Sequence, residues 1–225
     1  MTKLHENLDA VERRIREACE RAGRPRGDVT LVVVSKYRPV EQTRELHALG
    51  ICNFGESRVQ DGREKIPQFP AGIDWHLIGR LQTNKAKYLP GLFVWVHSID
   101  RADAADAIGK AFARKGGTVR CLVQVNIAGE EQKAGVEPGA AAALVRHVAS
   151  LPNLECVGLM TMAPLVEDPE AARPVFRGLR ELAERLRAET GLPLPHLSMG
   201  MTNDFEVAVE EGATLVRVGT AVYEG

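Results

Sequence analysis

Aromatic residues make up only 5% of the 225-residue sequence, and its acidic and basic side chains nearly cancel to a net charge of −1. The first scarcity argues against platforms that stack nucleic-acid bases, and the second against a basic surface that tracks a phosphate backbone. No uninterrupted apolar run approaches the roughly 20 residues that a membrane span needs. The start, Met1-Thr2-Lys3-Leu4-His5-Glu6, carries charge where a secretion signal carries an apolar core. The four cysteines, Cys19, Cys52, Cys121 and Cys156, stand singly, without the close spacing of a zinc site or a redox dithiol. They are expected to be reduced and buried, packed as small hydrophobes. A cytoplasmic protein is expected, with no nucleic-acid partner, no membrane partner and no metal. No G-x-G-x-x-G follows the first strand-like run, so the fingerprint of an open dinucleotide-binding sheet is missing as well.

The sequence does contain an alternation of short apolar runs with helical stretches. Leu31-Val32-Val33-Val34 reads as a strand buried on both faces, and Lys36 falls where that strand emerges. Similar runs predict strands at 51–54, 74–78, 93–96, 119–125, 154–159, 195–198 and 214–218. Helices are predicted at 39–50, 56–66, 83–89, 101–115, 138–149, 169–188 and 203–211, with a polar loop over 129–135. Ahead of the first strand, Leu4, Leu8, Val11, Ile15, Ala18 and Ala22 recur every three or four residues, the spacing of one helical face. Eight strands alternating with helices over this length predict an α/β fold, a single (β/α)8 TIM barrel forming one domain over residues 1–225. Gly225 follows the last strand too closely for the usual eighth helix. The N-terminal helix is expected to cover that gap.

Barrel sites collect at the C-terminal ends of strands. That rule selects Lys36, Asn53 and Glu56, His76, Asn126, Met160-Thr161, Ser198 and Arg217. An amine at the mouth of a core can lose hydration and attack a carbonyl to form a Schiff base, although a solvated lysine is the plainer alternative. Ser198-Met199-Gly200-Met201-Thr202 precedes a helix and Arg217-Val218-Gly219-Thr220 follows a strand. Together they suggest a phosphate cup of backbone N–H groups and hydroxyls, unless Gly200 and Gly219 merely serve tight turns. An amine facing such a cup points to an aldehyde that carries a phosphate, either pyridoxal 5′-phosphate (PLP) or a phosphosugar. Arg217 fits a PLP ring nitrogen, which it would keep unprotonated, and a phosphate contact or a rim ion pair is the alternative. His47, His97 and His147 read as solvated or singly hydrogen-bonded, and Trp75 and Trp95 as packing.

The segments Val34-Ser35-Lys36, Asn53-Phe54-Gly55-Glu56, Trp75 to Lys85, Gln124 to Ile127, Gly158 to Thr161, Leu197 to Thr202 and Val216 to Ala221 together resemble the pyridoxal phosphate homeostasis family, the YggS-like or PROSC-like proteins. The resemblance spans almost the whole chain. It implies a fold-type-III barrel of the alanine-racemase N-terminal type, without the C-terminal β domain, that binds PLP through Lys36. It further implies phosphate contacts from Ser198, Gly219 and Thr220, with Arg217 facing the ring nitrogen and Asn53, His76, Met160 and Met199 lining the ring pocket. Ser57 and Arg80 depart from the family pattern, and the Arg80 change is expected to affect the surface. The implied role is intracellular PLP (vitamin B6) homeostasis: a monomer that holds PLP and delivers it to apo PLP-dependent enzymes without robust catalysis. Two alternatives remain, an amino-acid racemase and a Schiff-base phosphosugar aldolase. Racemisation needs a second acid/base group opposite the lysine, and Tyr37 and Tyr223 are the tyrosines near strand ends.

Overall fold

Eight apolar runs become parallel strands that close on one another in chain order, with β8 returning to β1. The computed structural model describes residues 2–130 and 134–225. The strands are β1 (Thr30–Val34), β2 (Asn53–Glu56), β3 (Asp74–Leu77), β4 (Trp95–Ile99), β5 (Val119–Gln124), β6 (Leu154–Met160), β7 (His196–Ser198) and β8 (Leu215–Val218). The helices are α1 (Lys3–Arg21), α2 (Val40–Ala48), α3 (Val59–Lys65), α4 (Ala102–Lys115), α5 (Ala141–Ser150), α6 (Arg173–Thr190), α7 (Phe205–Glu210) and α8 (Thr220–Tyr223). Between β3 and β4 the expected helix is a 3-10 segment, Thr83–Tyr88, because Pro90-Gly91 ends it after a few residues. Residues 131–133 of the expected 129–135 loop lie outside the described residues. Among the described residues, no helix is long and apolar enough to cross a membrane.

Strand alternation sorts side chains into two cores. The larger lies between sheet and helices and includes Phe54, Leu46, Ile108, Phe112, Phe176, Leu179 and Phe205. The smaller fills the barrel with Val32, Trp95, Leu122, Met160 and Leu215. Leu122 precedes Gln124 by two residues on β5, and Leu215 precedes Arg217 by two on β8. The apolar interior therefore lies one layer beneath the polar mouth.

The helix α1 fills the gap that the short α8 leaves. Its buried stripe of Leu4, Leu8, Val11, Ile15, Ala18 and Cys19 packs on α7 and α8. The Asn7 amide donates to the Val222 carbonyl at 3.1 Å, and Arg14 pairs with Glu206 at 2.7 Å. One boundary differs instructively from the sequence pattern. Phe93 was expected in β4, yet it packs against Gly62 of α3, where a Cβ would lie 2.4 Å from its ring. The strand starts at Trp95 and runs on through His97 and Ser98, polar residues whose bonds are satisfied inside. All four cysteines are free, but Cys52 is exposed after the turn at Gly50, so burial holds for Cys19 and Cys121 and only partly for Cys156.

Candidate functional site

At the C-terminal ends of the strands opens a cavity of about 520 Å³, a volume suited to a small cofactor. Its wall includes Val34 at the end of β1 and Lys36 after it, Ile78 after β3, Gln124 on β5, Met162 after β6, and Arg217, Gly219 and Thr220 from β8 onward. Lys36 is exposed, so burial of β1 alone does not dehydrate its amine. A ligand filling the cavity would do so.

The turn that carries Lys36 is held from behind by a buried ionic cluster. The Ser35 N–H donates to the Gly55 carbonyl at 3.0 Å, and its hydroxyl donates to Glu56 Oε1 at 2.7 Å. Lys65 Nζ reaches both Glu56 Oε1 and the Ser35 carbonyl at 2.6 Å. Immediately after Lys36, Tyr37 takes a φ of 62°, the left-handed region that reverses the chain toward α2. Glu56 thus faces α3 and not the mouth, contrary to the expectation from its place at the end of β2. Lys65 had no sequence assignment. The signal was available: it follows Val59 and Gly62 at helical spacing on the buried face of α3.

Part of the cavity wall is made of backbone. Among the described residues, the N–H groups of Thr202, Asn203 and Thr220 have no protein acceptor, and all three residues line the cavity. Glycine makes the approach possible. Gly200 has a φ of 92°, and a Cβ there would lie 2.9 Å from Phe205 Cα. The arrangement is a cradle for an anion.

Arg217 forms part of the cavity wall and is otherwise buried. Its Nη1 donates to Ser198 Oγ at 2.5 Å and its Nη2 to the Thr161 carbonyl at 3.0 Å. Burial pushes its pKa down to about 10, against an opposing pull from the Asp204 carboxylate, so it remains a cation at neutral pH. Beneath it the polar side chains continue. Ser198 Oγ meets His97 Nδ1 at 2.9 Å, His97 Nε2 meets His76 Nδ1 at 2.9 Å, and His76 Nε2 meets Asn53 Oδ1 at 3.1 Å. His76 also stacks on Trp95, with ring centroids 5.3 Å apart. Burial lowers the His76 pKa to about 3 and holds His97 well below the ordinary value, aided by the neighbouring His76 and Arg217. His97 is therefore neither solvated nor singly bonded, as its place at the end of an apolar run had suggested.

The cavity brings together Lys36, Arg217, Gly219 and Thr220 from the residues expected at the site. Ser198, His76 and Asn53 lie below them in the polar chain. Met160 belongs to the interior apolar cluster, and Met199 points outward into the sheet–helix core, so neither lines the cavity. Gly200 shapes the backbone behind it. Thr202 of the expected cup also lines the cavity, whereas Ile78, Met162 and Asn203 are additional wall residues that lie one, two and five positions past β3, β6 and β7, beyond the strand ends. Ser57 and Arg80 both border the cavity, Arg80 with its Nε 3.1 Å from Asp100, so the Arg80 change is not confined to the outer surface.

The model of the alanine racemase N-terminal domain matches residues 7–225, which defines the class of this barrel. A pyridoxal phosphate homeostasis protein of Aquifex aeolicus is 48% identical over 219 residues, 97% of this chain and 96% of the relative. PipY of Synechococcus elongatus PCC7942, a COG0325 family member solved with PLP bound, superposes with a TM-score of 0.85 at 32% identity, covering 98% of this chain and 99% of that one. The chain belongs to the pyridoxal phosphate homeostasis protein family. An alanine racemase of Clostridium difficile 630 shares the fold, with a TM-score of 0.80 at 14% identity, covering 98% of this chain and 56% of that one.

Two outcomes follow from the buried charges and histidines. Lys65→Met strands the Glu56 carboxylate and should cost about 3–5 kcal/mol, read as a lower urea midpoint; an unchanged midpoint would contradict the cluster. His76, His97 and His196 all have folded-state pKa values below the ordinary 6.5. The unfolded chain thus takes up protons there first, and stability falls as the pH drops below 6.5. The slope is about 1.4 kcal/mol per pH unit for each fully shielded histidine. Urea unfolding should show a clear loss between pH 7 and pH 5, and a flat profile would exclude neutral buried histidines.

Proposed function

We propose that the chain binds PLP in the mouth cavity with Lys36 as the covalent anchor, and that it serves PLP homeostasis by holding and delivering the cofactor without robust catalysis. The carrying observation is that one exposed amine, Lys36, shares a single cavity with the Arg217 cation and with backbone donors that have no protein acceptor among the described residues. When bound, PLP supplies an aldehyde for an amine and an electron-withdrawing ring. The residues fit it in three places. Lys36 Nζ meets the aldehyde. The N–H groups of Thr202, Asn203 and Thr220 meet the phosphate, with Gly219 leaving room. Arg217, with guanidinium donors left over from Ser198 and Thr161, meets the ring nitrogen. Ser198 is engaged by Arg217 and His97, and we assign it to the support of Arg217 in place of the phosphate.

Residues 1–225 act in this reading as one cytoplasmic, monomeric domain, with apo PLP-dependent enzymes as recipients. Support against a racemase comes from the tyrosines. Among the described residues none lines the cavity: Tyr37 is 69% exposed outside it, and Tyr223 is buried away from it. The relatives' name also describes homeostasis and not an enzymatic reaction.

Adding PLP to the purified protein should produce a visible absorption band that Lys36→Ala abolishes, while the backbone cradle retains weak PLP affinity. An unchanged band in that variant would remove Lys36 as the anchor. In the same preparation, interconversion of L- and D-alanine at about 1–1000 per second, the ordinary enzymatic range, would overturn the carrier reading; turnover far below it is expected.

A further inference from the structure

The interior of the barrel contains a hydrogen-bond chain that packing alone does not require. We propose that His97 is a positioning residue for Arg217, acting through Ser198, in a chain whose donors all point one way: Arg217 to Ser198 to His97 to His76 to Asn53. The spectral part of its test rests on the PLP reading; the chain itself does not.

The direction follows from donor and acceptor inventories. Arginine has no acceptor, so Ser198 Oγ accepts from Arg217 at 2.5 Å. Among the described residues, the Ser198 hydrogen then has one acceptor in reach, His97 Nδ1 at 2.9 Å. A neutral imidazole carries a single N–H, which places that of His97 on Nε2, donating to His76 Nδ1. The same step places the His76 proton on Nε2, donating to Asn53 Oδ1.

The reverse direction has a specific cost. With His97 Nδ1–H donating, Ser198 would accept from both sides, and its own hydrogen would be buried without an acceptor, because Ser198 is fully enclosed. The Asn53 amide would also have to turn over. The charges around the chain favour neutral rings. Arg217 stands at its upper end, and Arg120, paired with Asp74 at 3.4 Å and lying over Trp95, stands toward the lower end beside His196. Among the described residues, no carboxylate contacts either imidazole to offset them.

The consequence is mechanical. A serine hydroxyl ordinarily rotates to suit its neighbours. Here His97 takes the hydrogen, so an Oγ lone pair is permanently turned to the guanidinium. Arg217 is held by this oxygen and the Thr161 carbonyl, two neutral acceptors that leave its charge uncancelled for the cavity.

Nitrogen-15 NMR of the histidine side chains in the ligand-free protein tests the direction. Both His76 and His97 should appear as the neutral Nε2–H tautomer from pH 8 to pH 5; an Nδ1–H tautomer at either would overturn the proposal. His97→Leu removes both links, whereas the amide of His97→Gln can accept from Ser198 and donate to His76. In the Leu variant, PLP should bind about fivefold more weakly, the equivalent of one lost hydrogen bond, with a shifted visible maximum, and the Gln variant should restore both. A folded Leu variant with wild-type spectrum and affinity would refute positioning. If the Leu variant fails to fold, a Gln variant that shifts the band or loses the His76 tautomer decides against the chain. If the wild-type protein binds no PLP at all, the functional reading fails, while the tautomers still report on the chain.

Discussion

A guanidinium buried inside the barrel, with no carboxylate in contact with it among the described residues, is the constraint on which the rest of the site depends. The Asp204 carboxylate uses Oδ1 to accept the Met201 N–H at 2.6 Å and acts on Arg217 through space. Arg217 is therefore solvated by the neutral oxygens of Ser198 and Thr161. Burying a charge this way is costly unless every donor finds an acceptor or a ligand completes the set. The cavity above it, with its unpaired backbone N–H groups, extends the same demand for negative charge.

The neighbouring strand end, at β1, is built on different physics. Lys36 must be mobile enough to reach a ligand, and it is exposed, but the residue before it is fixed. Ser35 is bound through its N–H, its carbonyl and its hydroxyl, the last two to the buried Lys65–Glu56 pair. A rigid backbone thus presents a flexible amine. Closure of the barrel supplies the geometry, because β1 and β8 are register neighbours from Thr30↔Leu215 to Val33↔Val218. Lys36 and Arg217 reach one cavity from adjacent strands, and α1 completes the outer shell where α8 is a single turn.

The fold was legible because its determinants are local. Leu31 to Val34 can hardly be other than a buried strand, and the α1 stripe has one solution. The site was legible in part. Lys36, Arg217, Gly219 and Thr220 lie at strand ends and reach the cavity. Depth was the missing quantity: at about 3.3 Å per residue, Ser198 and His76 sit beneath the mouth, while Asn203 and Met162, a few positions past their strands, reach it. Parity was missing too. The β5–β6 register shifts between Cys121 and Leu122, which changes which residues of β6 face inward, and Met199 follows an inward Ser198 and so points out. The polar chain was hidden because each member makes sense only beside partners on other strands. A histidine on β4 finds its bonds on β3 and β7.

In the proposed function Lys36, and no other lysine, tethers the cofactor. Borohydride reduction of the PLP-loaded protein, followed by proteolysis and mass spectrometry, reads the attachment point directly. The account predicts a single pyridoxyl adduct on the peptide containing Lys36, formed in one-to-one yield and lost in Lys36→Ala. An adduct on Lys65, on several surface lysines, or on none would contradict it.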